Sequence, residues 1–359
     1  MLNYNNAVHL ILGVLVVMIF TTGIMFLVRK IAEYIGAIDV PKDDRRVHKV
    51  PIPRLGGLGI FLGFLFGYIL FGVQSQQMNA ILMGAFIIVL CGIIDDIKPL
   101  DAKSQFLAQL IAACILVFYG NIFIKDITIF GLALNFGVIG YPISIIFIVA
   151  CINIINLIDG MDGLSGGTCA IFYVTITVIA FMQGITKELD ISLAIIMLGA
   201  TLGFLVHNFH PAKIFAGGTG TMFQGYMIAA ISLLGYKGAT VVSLFVPILI
   251  LGIPVLDTLF AIIRRVIKKQ PFYMPDKLHL HHQLLNLGLS HRNTVLIIYV
   301  MNILFAAATV IFFQINQVLG KYIYLVIFFL IFWLVLRTSI ISDKRIKERK
   351  VERKNKKEQ

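Results

Sequence analysis

The sequence predicts an all-α, polytopic integral membrane protein with about eleven transmembrane helices. Hydrophobic residues make up 59% of its 359 residues, and charged residues make up only 13%. A soluble domain cannot hide so much apolar surface, whereas a bilayer accepts it. The apolar residues also come in runs of about 20, the length that one helix needs to cross the hydrocarbon core. Because backbone groups in lipid must be satisfied internally, runs of this length predict helices rather than strands.

Eleven apolar runs are predicted as spans. The first is too long for the apolar core of a cleaved signal peptide, so we interpret it as a retained span. The boundaries lie near 8–28, 57–73, 79–95, 104–123, 141–157, 167–183, 190–208, 220–236, 239–263, 294–314 and 320–341. Together they predict one membrane-embedded domain over 1–341, followed by a basic cytoplasmic tail over 342–359.

The basic residues predict which side of the membrane each loop occupies. With the N-terminus outside and the spans alternating, all but four of the 30 Lys and Arg residues fall on the inner side. The exceptions are Lys125, Lys187, Lys237 and Lys321. Because cytoplasmic loops carry the excess of Lys and Arg, the C-terminus is expected in the cytoplasm. The same distribution indicates that the net charge of +12 reflects membrane topology and contact with anionic lipid headgroups, and not nucleic-acid binding.

One outer loop differs from the others in pattern. Residues 124–140 alternate loosely between apolar and polar side chains and contain Gly131 and Gly137. Short alternating runs separated by turn residues are typical of a β-hairpin, which we predict here.

A polar stripe marks the end of the fifth span. Asn153, Asn156, Asp159 and Asp162 recur every third residue, and positions three apart share one face of a helix. Polar and ionised groups in a membrane are costly unless they hold a cation, a substrate or a partner. The stripe is therefore the leading candidate site.

The third span also ends in acids, Asp95 and Asp96. Adjacent carboxylates repel each other, so they favour a bound divalent ion or a shared proton. A solvated helix end is the plainer alternative.

Cationic and imidazole groups gather in the other inner-face segments. The candidate phosphate-binding residues are Arg46, His48, Lys213, Arg265, His279, His281, His282 and Arg292. Guanidinium and imidazole groups bind phosphate oxygens, although positive-inside loops also explain basic residues without a ligand. No cysteine accompanies the three close histidines, so anion binding is favoured over zinc, with a structural network as a further alternative. Arg265 has its own structural alternative, an ion pair with Asp257.

The predicted topology places all these clusters on one membrane face. There, carboxylates suited to Mg²⁺ meet cations suited to phosphate, and a Gly/Thr loop over 217–221 can offer backbone N–H groups. This combination of groups suits phosphoryl transfer, in which positioning and charge neutralisation supply most of the catalysis. A transporter for an anionic solute is disfavoured, because transporter sites usually lie near the bilayer midplane.

These residues resemble those of the polyprenyl-phosphate N-acetylhexosamine-1-phosphate transferases, a similarity that covers about residues 10–340. It looks closest to the bacterial undecaprenyl-phosphate N-acetylglucosamine-1-phosphate transferases. The matching motifs consist of Arg46, His48, Pro51, Pro53, Gly56 and Gly57; Asp95 and Asp96; Asn153, Asn156, Asp159, Gly160, Asp162 and Gly163; Phe209, Pro211, Lys213 and Phe215; and His279, His281 and His282.

The resemblance implies ten or eleven helices in a bacterial plasma membrane, with the active site on the cytoplasmic face. It implies transfer of an amino sugar 1-phosphate from UDP to undecaprenyl phosphate, release of UMP, and a requirement for Mg²⁺, with Mn²⁺ as an alternative. Such a step begins teichoic acid and related glycan synthesis. N-acetylglucosamine is the favoured sugar and N-acetylgalactosamine stays open, as does a homodimer.

The resemblance also assigns roles to residues. Asp95, Asp96 and Asp159 are expected at the catalytic centre and near the metal. Asn156 and Asp159 are expected to contact the metal–pyrophosphate region, and Asp162 is expected to help recognise the nucleotide, with Asn153 as a further substrate-binding residue. His279, His281 and His282 are expected to steady the diphosphate or the sugar.

One position departs from the family pattern. After Phe215 the family has Gly-Asp-x-Gly, whose Asp is a principal Mg²⁺ ligand, but this chain has Gly218 at that place. A missing carboxylate is expected to weaken a Mg²⁺ site severely. The chain is then a variant with a displaced ligand, an engineered knock-out or a paralogue of low activity.

Overall fold

A computed structural model describes residues 7–40, 50–129, 132–183, 189–234, 251–252, 254–259 and 280–337. Several of the predicted functional positions lie outside these described residues. They are Arg46, His48, Arg265, His279 and the tail over 342–359.

The described chain is almost entirely helical. Its helices are α1 (Ala7–Ile35), α2 (Gly56–Phe71), α3 (Gln76–Ile97), α4 (Ala102–Cys114), α5 (Gly140–Ile158), α6 (Leu164–Met182), α7 (Leu189–Asn208), α8 (Gly217–Leu234), α9 (Leu280–Asn286), α10 (His291–Val310) and α11 (Gln317–Arg337). The π-helical turns Ile115–Tyr119 and Ile311–Ile315 extend α4 and α10. Every predicted span except the ninth coincides with one of these helices, and most of the ninth lies outside the described residues.

The all-α membrane architecture is confirmed. Among the described residues, seven helical segments are long and apolar enough to cross a bilayer. They are Ala7–Ile35, Gln76–Ile97, Ala102–Tyr119, Gly137–Ile158, Leu164–Met182, Leu189–Asn208 and His291–Val310. The total of eleven spans and the external N-terminus stay predictions.

Two small antiparallel sheets join the helices. The predicted hairpin is present, because β3 (Asp126–Ile129) pairs with β4 (Leu132–Asn135), and its place on the outer side stays a prediction. A second pair, β1 (Ile38–Asp39) with β2 (Ile52–Pro53), had not been predicted. It brings the segment just before α2 back to the end of α1, so that this segment has a fixed position at the base of α2.

Helix α8 lies at the centre of the bundle, and each of its residues is buried. Helices α2, α3, α5 and α7 pack around it. Two glycines allow the first turn of α8 to approach α2 and α3 closely. A Cβ at Gly57 of α2 would overlap the backbone of Gly220, and a Cβ at Gly92 of α3 would overlap that of Thr219. The chain therefore fixes the start of α8 against α2 and α3.

Candidate active site at the start of helix α8

Asp96 holds the first turn of α8 in place. Its Oδ1 accepts the Gly218 backbone N–H at 2.8 Å, and its Oδ2 accepts the Thr219 N–H at 3.1 Å and the Thr219 hydroxyl at 2.6 Å. The Arg54 guanidinium lies 3.4 Å from Oδ1. The first N–H groups of a helix have no partners within the helix, and its positive dipole end favours an anion. A buried carboxylate with four such contacts has little capacity left for a metal ion.

The neighbouring Asp95 faces a different direction. Its Oδ1 accepts the Leu100 backbone N–H at 2.8 Å and the Gln105 amide at 2.9 Å. These two donors fix the carboxylate and leave Oδ2 towards Gly218, where a Cβ would lie 2.8 Å away. Asp95 is only partly buried. Of the two predicted acids, it is the one whose second oxygen is directed at the start of α8.

The predicted polar stripe divides into two parts. Asn153 and Asn156 lie on α5, but α5 ends at Ile158, so Asp159 and Asp162 lie in the following turn and not on the same helical face. Asn156 accepts the Thr221 hydroxyl at 2.7 Å, which connects the stripe to α8. The expectation of one continuous helical face was wrong beyond Asn156.

Asn153 faces the interior of the bundle. Its amide donates to the Gln109 carbonyl oxygen at 2.7 Å and to the Val149 carbonyl at 2.8 Å. Gln109 in turn contacts the Met222 sulfur at 3.7 Å. These contacts join α4, α5 and α8, so they give Asn153 a packing role.

Asp159 is half-buried directly after α5. Its Oδ1 accepts the Ser165 hydroxyl at 2.5 Å. Burial raises the pKa of this carboxyl to about 6, and the nearby Asp162 charge adds to the rise, whereas the Ser165 hydrogen bond and the Arg54 guanidinium oppose it. Arg54 therefore acts electrostatically on Asp159 while it pairs with Asp96.

Asp162 connects the turn to two other elements. Its Oδ2 accepts the His210 Nδ1 at 2.8 Å and the Ala212 backbone N–H at 3.1 Å, both in the loop after α7. Its own backbone N–H donates to His291 Nε2, at the start of α10, at 3.0 Å. The turn over 159–163 is thus fixed from both sides.

The histidine segment reaches the same turn. His281 is buried, and its Nε2 lies 2.5 Å from the place where a Cβ of Gly160 would be. The His282 ring lies 4.2 Å from the His281 ring. Asp257 accepts the Leu280 backbone N–H at 2.9 Å and so fixes the start of α9. Of the cations predicted to contact phosphate, Lys213 and Arg292 are exposed.

Comparison with known proteins shows the family of this chain. Residues 78–236 match the family described as glycosyl transferase family 4. Over 339 residues the chain is 42% identical to a Bacillus subtilis (strain 168) protein named probable undecaprenyl-phosphate N-acetylglucosaminyl 1-phosphate transferase, covering 94% of this chain and 91% of the relative. The chain belongs to this family.

More distant relatives carry related names. A Mycobacterium tuberculosis (strain H37Rv) decaprenyl-phosphate N-acetylglucosaminephosphotransferase is 35% identical over 321 residues, which cover 80% of this chain and 79% of the relative. An Escherichia coli (strain K12) undecaprenyl-phosphate alpha-N-acetylglucosaminyl 1-phosphate transferase is 27% identical over 328 residues, covering 89% and 88%.

The carboxylates of this chain do not fit the complete metal site that the family pattern implies. Asp96 is occupied by the first turn of α8 and by Arg54. Gly218 contributes no side chain, and Asp159 shares one oxygen with Ser165. Asp95 and Asp159 each have one oxygen that already accepts hydrogen bonds, so each offers its second oxygen to a metal. The described site therefore has fewer available metal ligands than the three predicted.

Several residues of the site had not been singled out from the sequence. Arg54 pairs with Asp96 and acts electrostatically on Asp159. Asn208 accepts the Gly163 backbone N–H at 2.9 Å and donates to the Ile214 carbonyl at 2.9 Å. The Tyr299 hydroxyl donates to the Gly163 carbonyl. Arg54 and Asn208 stand inside or beside the family motifs, which was the available signal.

Proposed function

We propose that the chain transfers N-acetylglucosamine 1-phosphate from UDP-N-acetylglucosamine to undecaprenyl phosphate and releases UMP. The observation that carries this proposal is the orientation of Asp95, whose Oδ2 faces the first turn of α8. A fixed acid beside a helix N-terminus suits a reaction between two phosphates. The names of the Bacillus subtilis and Mycobacterium tuberculosis relatives supply the substrate class.

The reaction requires one proton acceptor and several phosphate-binding groups. An oxygen of the lipid phosphate attacks the β-phosphorus of the nucleotide sugar and forms the new P–O bond. The bond from that phosphorus to the bridging oxygen breaks, and UMP leaves with the electron pair. Asp95 takes any proton from the lipid phosphate, because Leu100 and Gln105 hold its carboxylate in a fixed orientation.

The remaining predicted residues complete the proposed substrate site. Asp162 contacts the nucleotide and Asn156 orients the first turn of α8. The phosphates are bound by His281, His282, Lys213 and Arg292, together with Arg46, His48, Arg265 and His279 outside the described residues. The site opens to the cytoplasm of a bacterial cell, and the prenyl chain enters laterally between helices. The product is the first lipid intermediate of a cell-wall glycopolymer such as teichoic acid.

A specific observation favours a second version of this function, an impaired member of the family. Gly218 provides no carboxylate where the family pattern has a Mg²⁺ ligand, and Asp96 has no oxygen without a partner. Mg²⁺, or Mn²⁺ in its place, is then bound weakly by Asp95 and Asp159. In this version the chain keeps the substrate site and turns over slowly.

UMP release from purified protein tests both versions. UDP-N-acetylglucosamine and UDP-N-acetylgalactosamine are each supplied with undecaprenyl phosphate, with Mg²⁺, with Mn²⁺ and with a chelator. The proteins compared are the natural sequence, Gly218→Asp and Gly218→Asp combined with Asp95→Asn. We expect Gly218→Asp to raise the Mg²⁺-dependent rate at least about tenfold, because outer partners of a metal site already contribute about 10–100-fold.

Three results separate the alternatives. Equal rates for both forms at position 218 would show that the chain does not use a ligand there. Absence of UMP release and of labelled UMP exchange in both forms would overturn the transferase. A rate that Asp95→Asn leaves unchanged would remove the proton-accepting role from Asp95.

A further inference from the structure

We propose that Asp162, His210 and His291 form a binding site for a transition-metal dication of the zinc type. One ligand atom from each of these residues lies within 4.8 Å of the other two. The three come from separate elements, namely the turn before α6, the loop after α7 and the first residue of α10. The site shares Asp162 with the nucleotide contact proposed above, but zinc binding itself does not require the transfer reaction.

The distances lie close to those of a tetrahedral site. Asp162 Oδ2 is 2.8 Å from His210 Nδ1 and 3.9 Å from His291 Nε2. Zinc bonds to nitrogen and oxygen of about 2.0–2.2 Å, arranged tetrahedrally, place the ligand atoms about 3.4 Å apart. The two distances lie on either side of this value, so shifts of about half an ångström bring each of these two contacts to it, together with a rotation of the rings.

The ligand types also suit zinc and not magnesium. Two imidazole nitrogens and one carboxylate oxygen match the nitrogen-rich coordination that zinc accepts, whereas Mg²⁺ prefers oxygen. The His210 side chain is 40% exposed, so water can reach a fourth coordination position. The zinc that we infer is thus chemically distinct from the ion of the transfer reaction.

The His210 and His291 rings lie next to each other, and they must rotate before both in-plane nitrogen lone pairs converge on one ion. They are stacked, with centroids 4.4 Å apart and planes inclined by 18°, a geometry in which two imidazolium charges would repel. His291 Nε2 accepts the Asp162 backbone N–H, so this nitrogen carries a lone pair and no proton. Its buried Nδ1 has no hydrogen-bond partner among the described residues. Zinc would take the place of the Asp162 backbone N–H at His291 Nε2 and of the proton on His210 Nδ1.

Metal binding to chelator-treated full-length protein in detergent tests the inference. Zn²⁺ is titrated against a chromophoric chelator, and bound zinc is examined by X-ray absorption. The informative variant is His210→Asn, because its amide can donate to Asp162 as His210 Nδ1 does but does not replace an imidazole ligand. We expect one equivalent of Zn²⁺ with nitrogen and oxygen neighbours at about 2.0–2.1 Å. In His210→Asn and His291→Ala the affinity should fall at least about tenfold.

The matched control is His282→Ala, in the other histidine segment of the chain. It should keep the Zn²⁺ affinity of the natural sequence. Thermal unfolding of each metal-free variant checks that the protein is folded, and His210→Asn should match the natural sequence. Unchanged affinity in folded His210→Asn, or an equal loss in His282→Ala, would overturn the site. If Asp162, His210 and His291 only hydrogen-bond to one another, the protein would bind no stoichiometric Zn²⁺, and this result would also overturn the site.

Discussion

Replacing Gly218 with Asp should make the stability of this protein depend on Mg²⁺. A Cβ at this position lies 2.8 Å from Asp95 Oδ2 and 3.6 Å from both Asp96 Oδ1 and Met222 Cε. The closest atom is the end of a side chain and not backbone, so a small rotation of Asp95 admits the new group. Gly218 is also not among the residues with positive φ, so the backbone accepts a side chain.

The main effect of the substitution is electrostatic. The new carboxylate lies about 4 Å from Asp95, where two like charges repel by about 1 kcal/mol in water and about 4 kcal/mol at an effective dielectric constant of 20. The N-terminus of α8 offsets about 0.3–1 kcal/mol of this repulsion. Without metal, Gly218→Asp should therefore lower the free energy of unfolding by about 1–3 kcal/mol.

A bound dication offsets this loss. Mg²⁺ at about 100 times its Kd stabilises the folded state by about 2.7 kcal/mol, provided that it does not bind the unfolded chain. The assay is thermal unfolding in detergent, with a chelator and with Mg²⁺. Gly218→Asn is the matched control, since it has the same size without the charge, and it should show little dependence on Mg²⁺.

Two results would refute this reasoning. If Gly218→Asp unfolds at the same temperature with chelator and with Mg²⁺, the carboxylates do not share an ion. If Gly218→Asn is destabilised as strongly as Gly218→Asp in chelator, the effect is steric and Asp95 is not the cause.

Substitutions at three further positions, Gly57, Asp96 and Thr221, test the packing of α8, each by its unfolding temperature in detergent. Gly57→Ala should lower the free energy of unfolding by about 1–3 kcal/mol or more, because its Cβ overlaps the α8 backbone. Gly23→Ala is the control, because a Cβ there meets open space, and it should raise the free energy of unfolding by about 0.5–1 kcal/mol. Equal effects of the two substitutions would contradict the close contact at Gly57. Asp96→Ala should cost about 3–5 kcal/mol and Asp96→Asn less, because only alanine removes every acceptor. Thr221→Val should cost about 1–3 kcal/mol, since the Asn156 oxygen loses its donor; no change would argue against that bond.

The helices could be predicted from the sequence because hydropathy alone determines most of them. The seventh span was expected over 190–208 and is observed as Leu189–Asn208, and the fifth over 141–157 as Gly140–Ile158. The first was expected to end at residue 28 but continues to Ile35. Its last turns contain charged residues, which a search for apolar runs excludes although they continue the helix.

The arrangement of the polar stripe could not be predicted from its spacing. A three-residue period predicts one helical face, but the helix ends before Asp159. Gly163 then adopts a φ of 79°, in the left-handed region that favours glycine, and begins α6. Glycines at 160 and 163 were the signal for a turn. The partners that fix this turn are Asn208, the last residue of α7, and His210 in the loop after it, and both are close to the turn only in the folded chain.

The different contacts of Asp95 and Asp96 follow from helix geometry. Consecutive residues on a helix point about 100° apart, so two adjacent acids do not naturally face one ion. Here Asp96 points into the bundle and binds the first turn of α8, while Asp95 points towards Gly218. The two carboxylates therefore differ in their contacts, since Asp96 fixes the first turn of α8 and Asp95 keeps one oxygen directed at Gly218, where we propose that it takes part in the transfer. With Gly218 providing no carboxylate, Asp95 is the acid whose second oxygen is directed at that position, so an Asp at 218 should couple the stability of the fold to metal binding.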